Sequence, residues 1–170
     1  MLEVQEGGRT PVGGASTAQR RAPAILAATM VATVAVDQVT KALAAHLLAS
    51  GRPARLLGTV LDLQLTRNPG GAFGILQSRP LLFAGATVII VAGVLLWGFT
   101  SGQAPVALGL VAGGGLGNLI DRIVRAPGGF QGHVVDFIHF RFWPTFNLAD
   151  SSIVVGVALL LLLELRPHRQ

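Results

Sequence analysis

Asp150 stands at the head of the apolar run "FNLADSSIVVGVALLLLLEL" (146–165). A carboxylate beside so much Leu and Val is costly to bury, and ionisable groups in such segments are rare and functional. Asp136, in "GHVVDFIHF" (132–140), is flanked by apolar residues on both sides. Two carboxylates held close in a low-dielectric site cannot both ionise easily, so they share one proton. One then acts as base on a water molecule while the other donates a proton. That chemistry needs neither thiolate nor metal, and the chain contains no cysteine to supply a disulfide, a nucleophile or a Cys-based metal site.

Metal ligation is the rival chemistry, with His133, Asp136 and His139 three residues apart. On a strand a three-residue step points to opposite faces. On a helix the outer two diverge by about 120°. No metal and no cofactor is therefore expected.

The elements that position these residues follow from composition. The chain has 170 residues, 51% hydrophobic and 12% charged, about half the charged fraction of a soluble domain. Three windows are long enough to cross a bilayer core, which takes about 20 largely apolar residues, and a fourth is interrupted by charge. The expected fold is mainly α and integral to the membrane: a four-transmembrane-helix bundle with a small β-element on its outer membrane-facing surface. The spans are expected at about 22–45, 81–99, 105–121 and 146–164, within one domain from 21 to 166. A signal peptide is conceivable at the first span, but three further spans favour an uncleaved one. Residues 1–20, poor in apolar groups, read as a disordered tail.

Between them, at 51–79, Leu61, Leu63 and Leu65 alternate with Asp62, Gln64 and Thr66, which is strand periodicity. "NPGG" (68–71) supplies turn chemistry. This element is expected to lie on the membrane with its apolar face down. A tight turn is expected at "TSGQAP" (100–105), and a loop of about 25 residues between the third and fourth spans. Gly109, Gly113 and Gly117 recur every four residues in the third span, a spacing that lets membrane helices approach closely. A phosphate cradle is disfavoured, since no strand precedes the run and no Lys-Ser/Thr follows it.

Four antiparallel spans bring Asp37, Lys41, Asn68, Asn118, Asp121, Arg122, Asp136 and Asp150 to one membrane face. Plainer readings exist for several: Asp37 and Lys41 form an i, i+4 pair, Asp121 and Arg122 mark a span end, and Asp62 is a solvated strand residue. The net charge of +5 is spread over cations that stand singly or in pairs, which suits anionic lipid headgroups better than nucleic acid. Five Lys and Arg fall on the terminal side (Arg9, Arg20, Arg21, Arg166, Arg169) and eight elsewhere. Charge counting alone thus favours termini outside.

Five blocks, in order, resemble the lipoprotein signal peptidases (signal peptidase II), bacterial membrane aspartyl proteases: "DQVTK" (37–41), "TRNPGGAF" (66–73), "GGGLGNLIDR" (113–122), "GHVVDF" (132–137) and "FNLADSS" (146–152). The resemblance covers roughly 25–165. It implies Asp136 and Asp150 as catalytic dyad, with Asn68, Gly70, Asn118, Asp121, Arg122 and Asn147 for substrate contact and site support. It makes Asp37, Lys41, Gly113 and Gly117 structural. The connection from Asp121 to Asp136 is longer than the family's and that from Asp136 to Asp150 shorter, which leaves Asp121 as the alternative partner of Asp150. The activity implied is removal of the signal peptide from bacterial prolipoproteins, cutting before a diacylglyceryl-modified Cys in the lipobox. Membrane lipid and cyclic-peptide inhibitors such as globomycin are implied partners. The implied location is the bacterial inner membrane, with termini cytoplasmic and the site near the outer leaflet. Two other readings stand beside it: a small proton-coupled carrier with Asp150 as relay, and a non-catalytic assembly subunit.

Overall fold

The computed structural model describes residues 17–70 and 79–165. The chain order is α1 (Thr17–Leu47), β1 (Ala54–Leu57), β2 (Leu61–Asn68), α2 (Pro80–Ser101), α3 (Pro105–Val124), β3 (Val134–Phe140) and α4 (Leu148–Glu164). Arg20–Leu47 of α1, α2 and α3 are long and apolar enough to cross a membrane; α4 has 17 residues. The protein is mainly helical, with a small three-stranded sheet. α1 begins four residues inside the expected tail, whose remainder lies outside the described residues.

Pro80 and Pro105 open α2 and α3 at first-turn positions, where a missing N–H costs nothing and φ is already helical. Gly102, at φ 64°, closes α2 and donates its N–H to the Gly98 carbonyl, the left-handed cap that glycine adopts without strain. α2 and α3 thus meet in the short turn at 102–104.

α3 is the central helix, and its glycines make it so. A Cβ on Gly109 would stand 2.7 Å from Thr29 Cβ, and one on Gly113 2.6 Å from Thr33 Cβ, both on α1. A Cβ on Gly117 would meet the Asp37 carboxylate at 2.5 Å. The contacts on α1 fall at steps of four, as do the glycines, so the two backbones run close along one face. Gly115 faces Val91 of α2. Gly156 of α4 faces Val111 and the Ala107 carbonyl of α3.

The sheet corrects two expectations. The segment between α3 and α4 contains a strand, β3, which pairs antiparallel with β2, with Thr66 opposite Asp136 and Asn68 opposite Val134. Its run "VVDFIHF" is rich in β-branched and aromatic residues, but it is too continuously apolar to show a two-residue period. The apolar face of the sheet also rests on protein: Leu63, Leu65, Val135 and Phe137 pack against Ala44 and Leu48 of α1. At 31 residues, α1 is about 46 Å long, more than the roughly 30 Å bilayer core, so its last turns are free to carry the sheet. Asp62 is half-buried, with Oδ1 lacking a hydrogen-bond partner among the described residues, unlike the solvated residue expected.

Candidate active site

Side chains alternate along β3. Val135 and Phe137 therefore join the packing on α1 while Asp136 points the other way, 2% exposed. Its Oδ2 accepts from Asn68 Nδ2 of β2 at 3.1 Å, and its Oδ1 from Asn147 Nδ2 at 2.7 Å. Asn68 is held in turn by the following turn, where Gly70 N–H donates to its Oδ1 at 3.0 Å.

Asp150 lies in the first turn of α4, where the spacing Asn147-x-x-Asp150 closes a capping box. The Asp150 N–H donates to Asn147 Oδ1 at 3.0 Å, and the Asn147 N–H to Asp150 Oδ2 at 3.3 Å. The two residues thereby satisfy backbone donors that a helix start leaves orphaned. The carboxylate also sits where the helix dipole favours negative charge. Its Oδ1 accepts from Asn118 Nδ2 of α3 at 2.8 Å. Asn147 thus starts α4 and, with the other end of its amide, reaches the Asp136 carboxylate.

Asp136, Asp150, Asn68, Asn118 and Arg122 line one cavity of about 390 Å³, walled by Phe83, Trp143, Phe146, Ile153 and Val154. It offers two carboxylates in an apolar enclosure, which suits activation of water against an apolar or lipid-bearing substrate. A larger cavity, about 560 Å³, lies on the other face of the sheet among Leu65, Arg67, Arg125 and His133 and contains neither carboxylate. Burial, and then the Asp150 carboxylate, raise the Asp136 carboxyl to about 7, against the lowering effect of Asn68, Asn147 and Lys41.

Asp121 lies elsewhere. It is fully buried, ion-paired with Lys41 (3.1 Å) and Arg125 (2.7 Å), and its Oδ2 accepts from the Val135 N–H at 3.0 Å. Its carboxylate anchors β3 to α3 instead of opening on the cavity. Arg122 donates to the carbonyls of Pro69 and Gly132 at 3.3 and 3.4 Å, tying the turn after β2 to the entry of β3. Lys41 is fully buried between Asp37 (2.8 Å) and Asp121. Asp37 Oδ1 accepts the Ala149 N–H at 2.9 Å, so α1 caps α4.

Two residues of this network were missed by sequence reasoning. Gln38 Nε2 donates to the Gly117 carbonyl (3.0 Å) and to Asp37 and Asp121 (each 3.2 Å). Arg125 is four residues beyond Asp121, a helical pairing distance that could have flagged it. Asp136 and His139 project to opposite faces of β3. Among the described residues no group of three His, Asp or Glu is arranged to hold a metal ion.

The family described as Signal peptidase (SPase) II matches residues 29–166. A lipoprotein signal peptidase of Rhodococcus jostii (strain RHA1) is 46% identical over 151 residues, 88% of this chain and 75% of that one. One of Pelotomaculum thermopropionicum is 47% identical over 129 residues, 74% of this chain and 81% of its own. A solved bacterial membrane enzyme at 30% identity superposes with a TM-score of 0.72, covering 86% of this chain and 94% of that structure. The chain belongs to the signal peptidase II family of proteases. These likenesses give no support to a carrier.

Proposed function

We propose that the protein is an aspartic endopeptidase that removes signal peptides from bacterial prolipoproteins, cutting before the diacylglyceryl-modified Cys. The observation that carries this reading is the cavity that gathers Asp136 from β3 and Asp150 from α4, each fixed by asparagine amides. Asp136, which burial keeps protonated up to about pH 7, supplies the proton to the leaving amine. Asp150, at a helix start with N–H groups aimed at it, takes the proton from the attacking water. The apolar wall receives the substrate's hydrophobic segment, and Asn68 and Arg122 at the rim contact its backbone. The same cavity is where a cyclic peptide such as globomycin would compete.

In this reading α4 is a fourth span, since 17 residues stand at the lower end of spanning lengths. Both termini then face the cytoplasm, and the site lies near the outer leaflet of the inner membrane. The sheet sits at that boundary, where a lipid-modified Cys stays among acyl chains while the scissile bond reaches water.

The test is cleavage of a diacylglyceryl-modified lipobox peptide by purified protein in detergent. Asp136→Asn and Asp150→Asn are each expected to lower turnover by at least about a hundredfold while unfolding at temperatures close to wild type. A folded Asp136→Asn variant that still cleaves, beside an inactive Asp121→Asn, would transfer the partnership to Asp121.

A further inference from the structure

Lys41 has three N–H donors and no acceptor, and all three are engaged. Two go to the carboxylates of Asp37 (2.8 Å) and Asp121 (3.1 Å). The third goes to Asn118 Oδ1 at 2.9 Å. Two carboxylates already neutralise one buried ammonium. The bond to Asn118 adds nothing to that neutralisation, and it leads toward the cavity.

An asparagine amide has an accepting and a donating end of nearly equal shape, and only its partners decide which end points where. Turned one way, Asn118 presents N–H to Asp150; turned the other way, it presents a carbonyl oxygen to a carboxylate. Lysine can only donate, so its ammonium fixes the oxygen end of Asn118 on itself and leaves Nδ2 for Asp150 Oδ1 at 2.8 Å. Asn147 Nδ2 also reaches Asn118 Oδ1, at 3.1 Å, but it divides two N–H groups among that oxygen, the Val135 carbonyl and Asp136 Oδ1. The charge-assisted bond is the stronger of the two constraints.

We propose that Lys41 is a positioning residue for the carboxylate pair, acting through Asn118, whose amide it locks with the donor end toward Asp150. This rests on the dyad reading given above. Lys41 is fully buried and does not line the cavity; its effect is on where Asp150 is held when proton transfer occurs.

The test uses the full-length protein in an Asp37→Asn background. Asn at position 37 can still accept the Ala149 N–H, and Asp121 keeps Arg125 and the Val135 N–H, so removing Lys41 strands no lone carboxylate. Adding Lys41→Met is expected to lower kcat about a hundredfold with KM changed less than about threefold, since the interaction acts on the chemical step. Asn118→Ala in the same background is expected to give a similar fall. Lys41→Met on top of it should then cost less than a further threefold or so, because the two act as one unit. A folded Lys41→Met protein with kcat within about threefold of its background overturns the proposal, and so does a loss that multiplies independently with Asn118→Ala. Lys41→Leu, which likewise carries no donor, replaces Lys41→Met if the latter unfolds, with the same two outcomes. Asp136→Asn and Asp150→Asn run alongside. Activity in those variants defeats the dyad reading itself, whereas their inactivity beside an active Lys41 variant defeats only the positioning role.

Discussion

The Asp136 carboxyl is one group through which pH is expected to act on the candidate site. Burial and the facing Asp150 hold its proton to about pH 7, so a reaction that needs this proton fails on the alkaline side. The rate of lipobox-peptide cleavage, kcat/KM, is expected to fall as pH rises through about 7. The Asn68 amide donates to the ionised form and so lowers this pKa. Asn68→Ala is therefore expected to move the alkaline limb to higher pH, as a cleavage profile from pH 5 to 9 would read directly; a shift downward would contradict the assigned hydrogen bond. At this scale the sequence was informative where a motif fixed both residue type and spacing. Asp136, Asp150, Asn68 and Asn118 line the cavity, and the fully buried Asn147 donates to the Asp136 carboxylate. It was silent on Gln38, whose long amide crosses to α3 from a position that no local period distinguishes. It also gave two candidate partners for Asp150, Asp136 and Asp121, because chain order places both near one boundary and says nothing of which faces the cavity.

Among the elements, α3 carries the bundle because glycine lets its neighbours come within backbone contact. Gly113→Ala would force a methyl against Thr33 Cβ at 2.6 Å and the Met30 carbonyl at 2.9 Å. A cost of about 1–3 kcal/mol follows from such overpacking, seen as a lower unfolding temperature in detergent. Gly85 of α2 has nothing within 4 Å of an added Cβ, and Gly85→Ala is expected to be neutral or to stabilise by up to about 1 kcal/mol through helix propensity. If both substitutions destabilise equally, close approach is not what holds α1 to α3. The four-residue glycine step was legible because helical spacing repeats along a chain. β3 was not legible, because a strand buried on both faces over Val134–Phe137 shows neither alternation nor helical period. The pairing of β3 with β2 also depends on residues some 70 positions apart, which local pattern cannot report.

For the molecule as a whole, one titration is expected to colour stability. The folded-state pKa of Asp136 is raised from an ordinary 3.8 to about 7, so the folded chain binds this proton more tightly than the unfolded one. The contribution is fully present below about pH 4 and is lost as pH rises through about 7. Thermal unfolding in detergent should show that decline in wild type and a flatter profile in Asp136→Asn; equal slopes would mean the carboxyl is not held as buried as its 2% exposure indicates.

The hydrogen bond from Ala149 N–H to Asp37 joins residues 112 positions apart, and it bears on when the protein becomes active. Asp136 precedes Asp150 in the chain, and the pair is complete only once α4 has docked its first turn on α1. A chain whose α4 has not yet docked on α1 therefore lacks one of the two carboxylates that line the cavity. The connection between α1 and α4 thus sets an order of assembly as well as bracing the fold.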